Sequence, residues 1–134
     1  MNREIKFRGQ SVIGEWQFGN LVKCPNGRCF IGWGKTMEDE EDVDDDLRFF
    51  GIEVKPETVG QFTGLKDKNG VELYEGDILE TKFNKQLTGH SFVFFDKHGS
   101  WRIGPLEYRL SCVTHESEAA GNIHDNPELL TPPK

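Results

Sequence analysis

Long apolar runs are missing from this 134-residue chain. No stretch of about 18 apolar residues occurs, which excludes a membrane-crossing helix. The opening Met1-Asn2-Arg3-Glu4-Ile5-Lys6-Phe7-Arg8 lacks the apolar core of a secretory signal. Cysteine is scarce as well: three thiols, an odd number, make no disulfide framework and suit a reducing compartment, so the expected location is the cytoplasm. A surplus of positive charge is also absent. The net charge is −7, but eight of the 23 acidic residues fall within Glu38 to Asp46. The rest of the chain carries 15 acids against 16 Lys and Arg and is nearly neutral, without the overall basic footprint of a phosphate-backbone binder.

Catalytic motifs are missing too. Gly32-Trp33-Gly34-Lys35-Thr36 ends like a phosphate-binding loop, but no strand-to-helix context surrounds it and the acidic run follows at once. His124-Asp125 resembles an oriented base, yet no nucleophile motif accompanies it. No catalytic residue and no cofactor is assigned. Cys24, Cys29, Cys112 and His115 have the right count for structural zinc. Their spacing is a poor match, since Cys-x4-Cys is loose and Cys112 is remote in sequence, so buried thiols are expected and no metal is assigned.

What is present is aromatic and turn-forming. Residues of the AVILMFWYC set make up 35 % of the chain, and fifteen glycines bring the apolar share to about 46 %, within the globular range of ~45–50 %. Ten Phe, three Trp and two Tyr favour pleated, half-buried surfaces. Residues 1–54 read as an irregular β-meander: Ile5 and Phe7 alternate with Lys6 and Arg8, and Cys29, Ile31 and Trp33 share one side of a strand. Pro25-Asn26-Gly27 marks a hairpin between them. From Gly34 to Leu47, with the acidic loop 38–46 inside it, a mobile loop is expected because dense like charge resists compaction.

Residues 55–130 read as a small barrel-like half. Asp67-Lys68-Asn69-Gly70 is a turn, Ile78 to Phe83 a strand, and Asp96-Lys97-His98-Gly99 joins Ser91–Phe95 to Trp101–Ile103. Phe92 and Phe94 point to one side of their strand and Val93 and Phe95 to the other. A strand apolar on both faces is either buried between layers or an interface, so these four residues are the candidate interface. A single helical turn is expected around Pro56 and another at Asn126-Pro127-Glu128-Leu129-Leu130, with Asn126 as its cap. The fold class is mainly β with little helix, one domain over residues 1–134.

Two stretches carry a family likeness. Pro56 to Gly70, running into Leu73-Tyr74-Glu75-Gly76-Asp77-Ile78, resembles the central signature of the YopX family, and Gly121 to Leu129 resembles its closing signature. Ile5-Lys6-Phe7-Arg8 is similar to its start. The resemblance implies a β-rich protein encoded by phages and prophages, and it carries no activity. Gly64, Asp67, Asn69, Gly70, Tyr74, Gly76, Asp77, Gly121, Asn122, Asn126 and Pro127 belong to these signatures and suit tight turns, so they are expected to hold the fold. Gly-Asp before apolar residues also opens many SH3-like barrels, a fold analogy without functional content.

These features point to a phage or prophage accessory protein that binds a protein partner or itself, as a homo-oligomer, in the cytoplasm of a bacterial host. A nucleic-acid-binding module is the alternative, argued from Lys6, Arg8, Trp101 and Arg102 beside aromatics. An enzyme of unrecognised type is the third reading.

Overall fold

A computed structural model describes residues 4–37, 46–83, 86–105 and 108–130. The chain forms two compact units, Ile5–Gln61 and Met1–Glu4 with Phe62–Lys134.

In the N-terminal unit, β1 (Phe7–Gln10), β2 (Trp16–Lys23), β3 (Cys29–Met37) and β4 (Asp46–Val54) pair antiparallel in chain order. The first residues of β5 (Gly60–Lys66) pair with β1, Gly60 facing Arg8 and Gln61 facing Phe7. The 3-10 turn Pro56–Thr58 belongs here, because the Gln10 N–H donates to Thr58 Oγ1 at 2.8 Å and the Lys55 N–H to the Gln10 carbonyl at 2.8 Å. Facing residues of an antiparallel pair share a side of the sheet. Cys29 faces Val54 and Ile31 faces Leu21, which assembles a core of Cys29, Ile31 and Val54 with Phe7, Leu21 and Val59 packed on it.

The loop expected from Gly34 to Leu47 is shorter than its charge pattern suggests. β3 and β4 stay paired from Cys29–Val54 out to Met37–Asp46. Continuation of an existing ladder adds backbone hydrogen bonds at each step, and strand alternation resumes at Asp46. Residues 38–45 of the acidic run lie outside the described residues.

In the C-terminal unit, β6 (Glu72–Tyr74) pairs with the later part of β5. β7 (Asp77–Phe83), β8 (Gln86–Phe95), β9 (Trp101–Gly104), β10 (Tyr108–Arg109) and β11 (Ser117–Asn122) form an antiparallel sheet in the order β10-β9-β8-β7-β11. The SH3-like barrel expected of this half is not found among the described residues. The sheet stays open because β10 has two residues and leads directly into α1 (Leu110–Val113), whose Leu110 and Val113 fill the core that a closing strand would cover. Leu73, Leu79, Val93 and Ile103 complete that core, each about 1.5–3 kcal/mol of apolar burial. The 3-10 turn Thr114–Glu116 extends α1, and Pro127–Leu130 forms a 3-10 turn where a single helical turn was expected.

Four hairpin turns repeat one backbone pattern: Ser11 to Glu15, Cys24 to Arg28, Asp67 to Val71 and Asp96 to Ser100. In each, the first N–H donates to the fifth carbonyl at 2.8–2.9 Å, and the glycine N–H at the fourth position returns to the first carbonyl. That geometry needs a positive φ at the fourth position, supplied by Gly14, Gly27, Gly70 and Gly99 at 84–91°.

Candidate binding surfaces

The two signature stretches meet inside the C-terminal unit. Asp77 faces Asn122 at the end of the β7–β11 ladder. Gly76, with φ of 90°, donates its N–H to the Val93 carbonyl at 2.9 Å and accepts the Ile123 N–H at 2.9 Å. Asp77 Oδ2 accepts the Tyr74 N–H at 2.7 Å, and the buried Tyr74 ring lies 5.5 Å from Phe62. Asn122 Oδ1 accepts the His124 and Asp125 N–H groups at 3.0 and 2.9 Å, while a Cβ at Gly121 would run into the Asn126 side chain. The Asn126 N–H donates to the Asn122 carbonyl at 2.8 Å and Pro127 opens the final turn. Gly64 has φ of 84° within β5, where the register with β6 shifts.

Asp67 works over a longer range. Its Oδ1 accepts the Asn69 and Val71 N–H groups at 2.8 and 2.9 Å, closing its own turn, and its Oδ2 accepts the Ala119 N–H at 2.9 Å. Burial pushes this carboxyl up, but the bonds from Ala119, Val71 and Asn69, with Lys68 alongside, outweigh it and hold the group below the usual carboxylate range.

The candidate interface strand divides its residues. Val93 is buried in the core opposite Ile103. Phe92 and Phe94 are half-buried with rings 5.6 Å apart, and Phe92 lies over Gly104, where any Cβ would strike its ring. Phe95 is exposed and its ring is 4.8 Å from Trp101. At this end of the hairpin an open cleft of about 610 Å³ is lined by Phe94, Phe95, Asp96, Lys97, His98 and Arg102. Asp96 accepts the Ser100 and His98 N–H groups on Oδ1 and the Arg102 guanidinium on Oδ2. The Ser100 bond, then Arg102, hold its carboxyl below the ordinary range, and the Arg102 charge is spent on the turn.

A surface that sequence reading missed lies in the N-terminal unit. Trp33 follows Cys29 and Ile31 on the core side of β3, yet it is 63 % exposed. The register sets it opposite Phe50, 46 % exposed, with ring centroids 6.1 Å apart and planes at 26°. Ile52, 50 % exposed, continues the same side opposite Ile31. The core face of the β3–β4 hairpin therefore runs on beyond the core as bare apolar surface. The available signal was the glycine pair: Gly32 faces Gly51, and a Cβ on Gly32 would run into the Phe50 backbone. On the opposite side, Arg28 forms a bidentate pair with Glu53 at 2.9 and 2.8 Å, an exposed contact of small energetic weight.

The other nominated residues lie apart from any such surface. Arg8 is 7 % exposed, with its guanidinium 4.8 Å over the Trp16 ring. Cys24 and Cys29 flank a hairpin turn, half-buried and buried; Cys112 is exposed on α1, and His115 is 3.7 Å from Glu116. Among the described residues no group of three or more His, Cys, Asp or Glu could hold a metal ion. No described helix is long and apolar enough to cross a membrane.

Residues 19–131, which include both signature stretches, match the family model of the YopX protein. The chain belongs to the YopX family. This YopX-family chain is also similar to the crystal structure of protein EF1440 from Enterococcus faecalis, with a TM-score of 0.69 and 23 % identity over 96 % of this chain and 99 % of that one. At that identity the likeness concerns the fold. No curated protein matches the chain.

Proposed function

We propose that this YopX-family protein is a phage or prophage accessory protein that works in the host cytoplasm by binding a polypeptide at the β3–β4 hairpin. The observation that carries this reading is the continuous side formed by Trp33, Phe50 and Ile52, three large apolar side chains each about half exposed or more. Isolated exposed apolar residues are ordinary, whereas a contiguous aromatic patch that prolongs a core supports a docking role. The competing nucleic-acid reading loses two of its cations, since Arg8 is buried beside Trp16 and Arg102 is held by Asp96. Affinity purification from phage-infected cells tests the reading. A protein, or a differently tagged second copy of the chain, should co-purify with the wild-type chain and be lost with Phe50→Lys, whereas an identical set of co-purifying chains with both would refute it.

A further inference from the structure

The proposed binding surface borders an open strand edge, and the two together point to what covers them. β4 has β3 along one side. On its other side, among the described residues, the pairing is a single bridge from Ser11 to Val54. The backbone from Asp46 to Glu53 thus presents a row of hydrogen-bonding groups without proline, beside the exposed aromatics. An open edge of this length, with Leu47, Phe49, Phe50 and Ile52 between the charged Asp46, Arg48 and Glu53, is a template for another strand.

Building on the reading of this hairpin as a polypeptide-binding surface, we propose that a second copy of the chain pairs antiparallel with the β4 edge about a two-fold axis at Phe50. The register follows from symmetry. An axis perpendicular to the sheet leaves each residue on its own side, and facing residues must share a side. Facing positions therefore differ by an even number, and one residue faces itself. The ladder must also stop short of Val54, whose outer side is taken by Ser11. Two registers give seven-residue ladders that stay within the described strand and clear this bridge, 46–52 centred on Phe49 and 47–53 centred on Phe50; only the second sets the exposed Phe50 against itself and leaves Asp46 outside the ladder. Phe50 then meets the partner's Phe50, flanked by Trp33 from each copy, while Phe49, whose ring already lies over Gly51 of its own strand, stays on the other side of the sheet.

Charge selects the same arrangement. The acidic run ends at Asp46, so parallel pairing would set two such runs side by side. In the antiparallel register Asp46 of one copy lies eight residues from the partner's Asp46, ~27 Å along the strand at about 3.4 Å per residue. That separation exceeds the Debye length of about 10 Å at 0.1 M salt. The pairing consumes both open edges and closes at two copies. The exposed parts of Trp33, Phe50 and Ile52 amount to on the order of 300 Å² per copy. A total well under the ~1,200–2,000 Å² of stable interfaces gives a dimer that dissociates on dilution.

Sedimentation equilibrium of the whole chain over a wide concentration range tests this. The expected result is a monomer–dimer equilibrium, weakened about tenfold or more by Phe50→Lys, which sets two ammonium groups face to face. The melting temperature should hardly change, because Phe50 is exposed. The geometry has its own readout: with Cys24 and Cys112 changed to Ser, Phe50→Cys should oxidise to a disulfide-linked dimer and Ile13→Cys, on the exposed first turn, should not. A monomer at every concentration, a trimer, or self-association indifferent to Phe50→Lys overturns the inference. If the chain stays monomeric but Phe50→Lys still loses a co-purifying protein, the inference falls and the polypeptide-binding reading stands. If Phe50→Lys changes neither measurement, both fall.

Discussion

Asp67 Oδ2 accepts the backbone N–H of Ala119 at 2.9 Å, joining residues 52 positions apart. One buried carboxylate thereby closes its own hairpin and fixes β11 beside it. The neighbouring Lys68 N–H donates to the Ser117 carbonyl at 3.1 Å, and its ammonium lies 3.7 Å from Glu118. The related turn at Asp96 uses its second oxygen differently, for Arg102 of its own hairpin. Two turns with nearly the same sequence, Asp-Lys-Asn-Gly and Asp-Lys-His-Gly, therefore do different work: the first ties distant segments, the second only closes locally.

Replacing Asp67 with Asn should destabilise the C-terminal unit by about 1–3 kcal/mol, because an amide cannot accept three N–H bonds with the strength of a carboxylate. The effect should depend on pH. The folded state holds this carboxyl below its ordinary value. Its stabilisation is complete above the unfolded value of about 3.9 and is lost as pH falls through the lower folded value. Denaturant unfolding from pH 6 to 2 should show the wild-type advantage shrinking towards acid. An advantage constant across that range would exclude the ionised carboxylate as its source.

Gly76 combines a φ of 90° with backbone bonds to Val93 and Ile123, at the point where the two signatures meet. Gly76→Val should cost roughly 1–3 kcal/mol in backbone strain. A Cβ there would meet Ile123 at 3.5 Å, an ordinary contact, so the positive φ carries the cost. Thermal melting of the variant decides this, and an unchanged midpoint would mean that the turn relaxes without cost.

Much of the fold was legible because its punctuation is local. Asp67 to Gly70, Asp96 to Gly99 and Pro25 to Gly27 announce hairpins through residues whose conformational preferences decide the turn. Alternation set Val93 and Phe95 on one side of their strand, but it does not show that Val93 is buried while Phe95 stays exposed. The misreadings come from effects that cross strands. Trp33 repeats the pattern of Cys29 and Ile31, and only the register, which sets it beyond the core opposite Phe50, shows that it stays exposed. Arg8 reads as a surface cation in a period-two pattern but lies buried beside Trp16 on the next strand. The β3–β4 ladder out to Asp46 was hidden because charge density argued for a loop where a hairpin continues. Phe92 to Phe95 stand as the interface strand the sequence nominates, and the exposed side of Trp33, Phe50 and Ile52 is a second apolar surface on a different hairpin.

The acidic connection should be dispensable for folding. Met37 faces Asp46, so Asn-Gly in place of residues 38–45 would supply a two-residue hairpin turn between them. Shortening the loop lowers closure entropy by ~0.6 kcal/mol per halving, and removal of like charges adds to the gain. The variant should unfold cooperatively at or above the wild-type midpoint. Loss of cooperativity would show that the run contributes to packing.

The nucleic-acid alternative makes a prediction that charge and geometry both oppose. Backbone binding requires several cations free to meet phosphates, and affinity then climbs steeply as salt falls. Outside residues 38–46 the chain is nearly neutral, and the eight acids of that run add repulsion. Arg8 is 7 % exposed beneath Trp16, and Arg102 is bound to Asp96 at the closed end of its hairpin. Releasing either would sacrifice a cation–π or charge-assisted contact before any phosphate was gained. Fluorescence anisotropy with random duplex and single-stranded probes, at low and moderate salt, should therefore show nothing tighter than the ~10⁻⁴–10⁻⁶ M of nonspecific contact. Submicromolar binding that weakens with salt would overturn the polypeptide-binding reading. Charge reversal at Lys6, which sits in the same N-terminal unit as Arg8, and at Lys97, beside the Phe95 cleft, would then locate the basic face by which of the two reduces the salt slope.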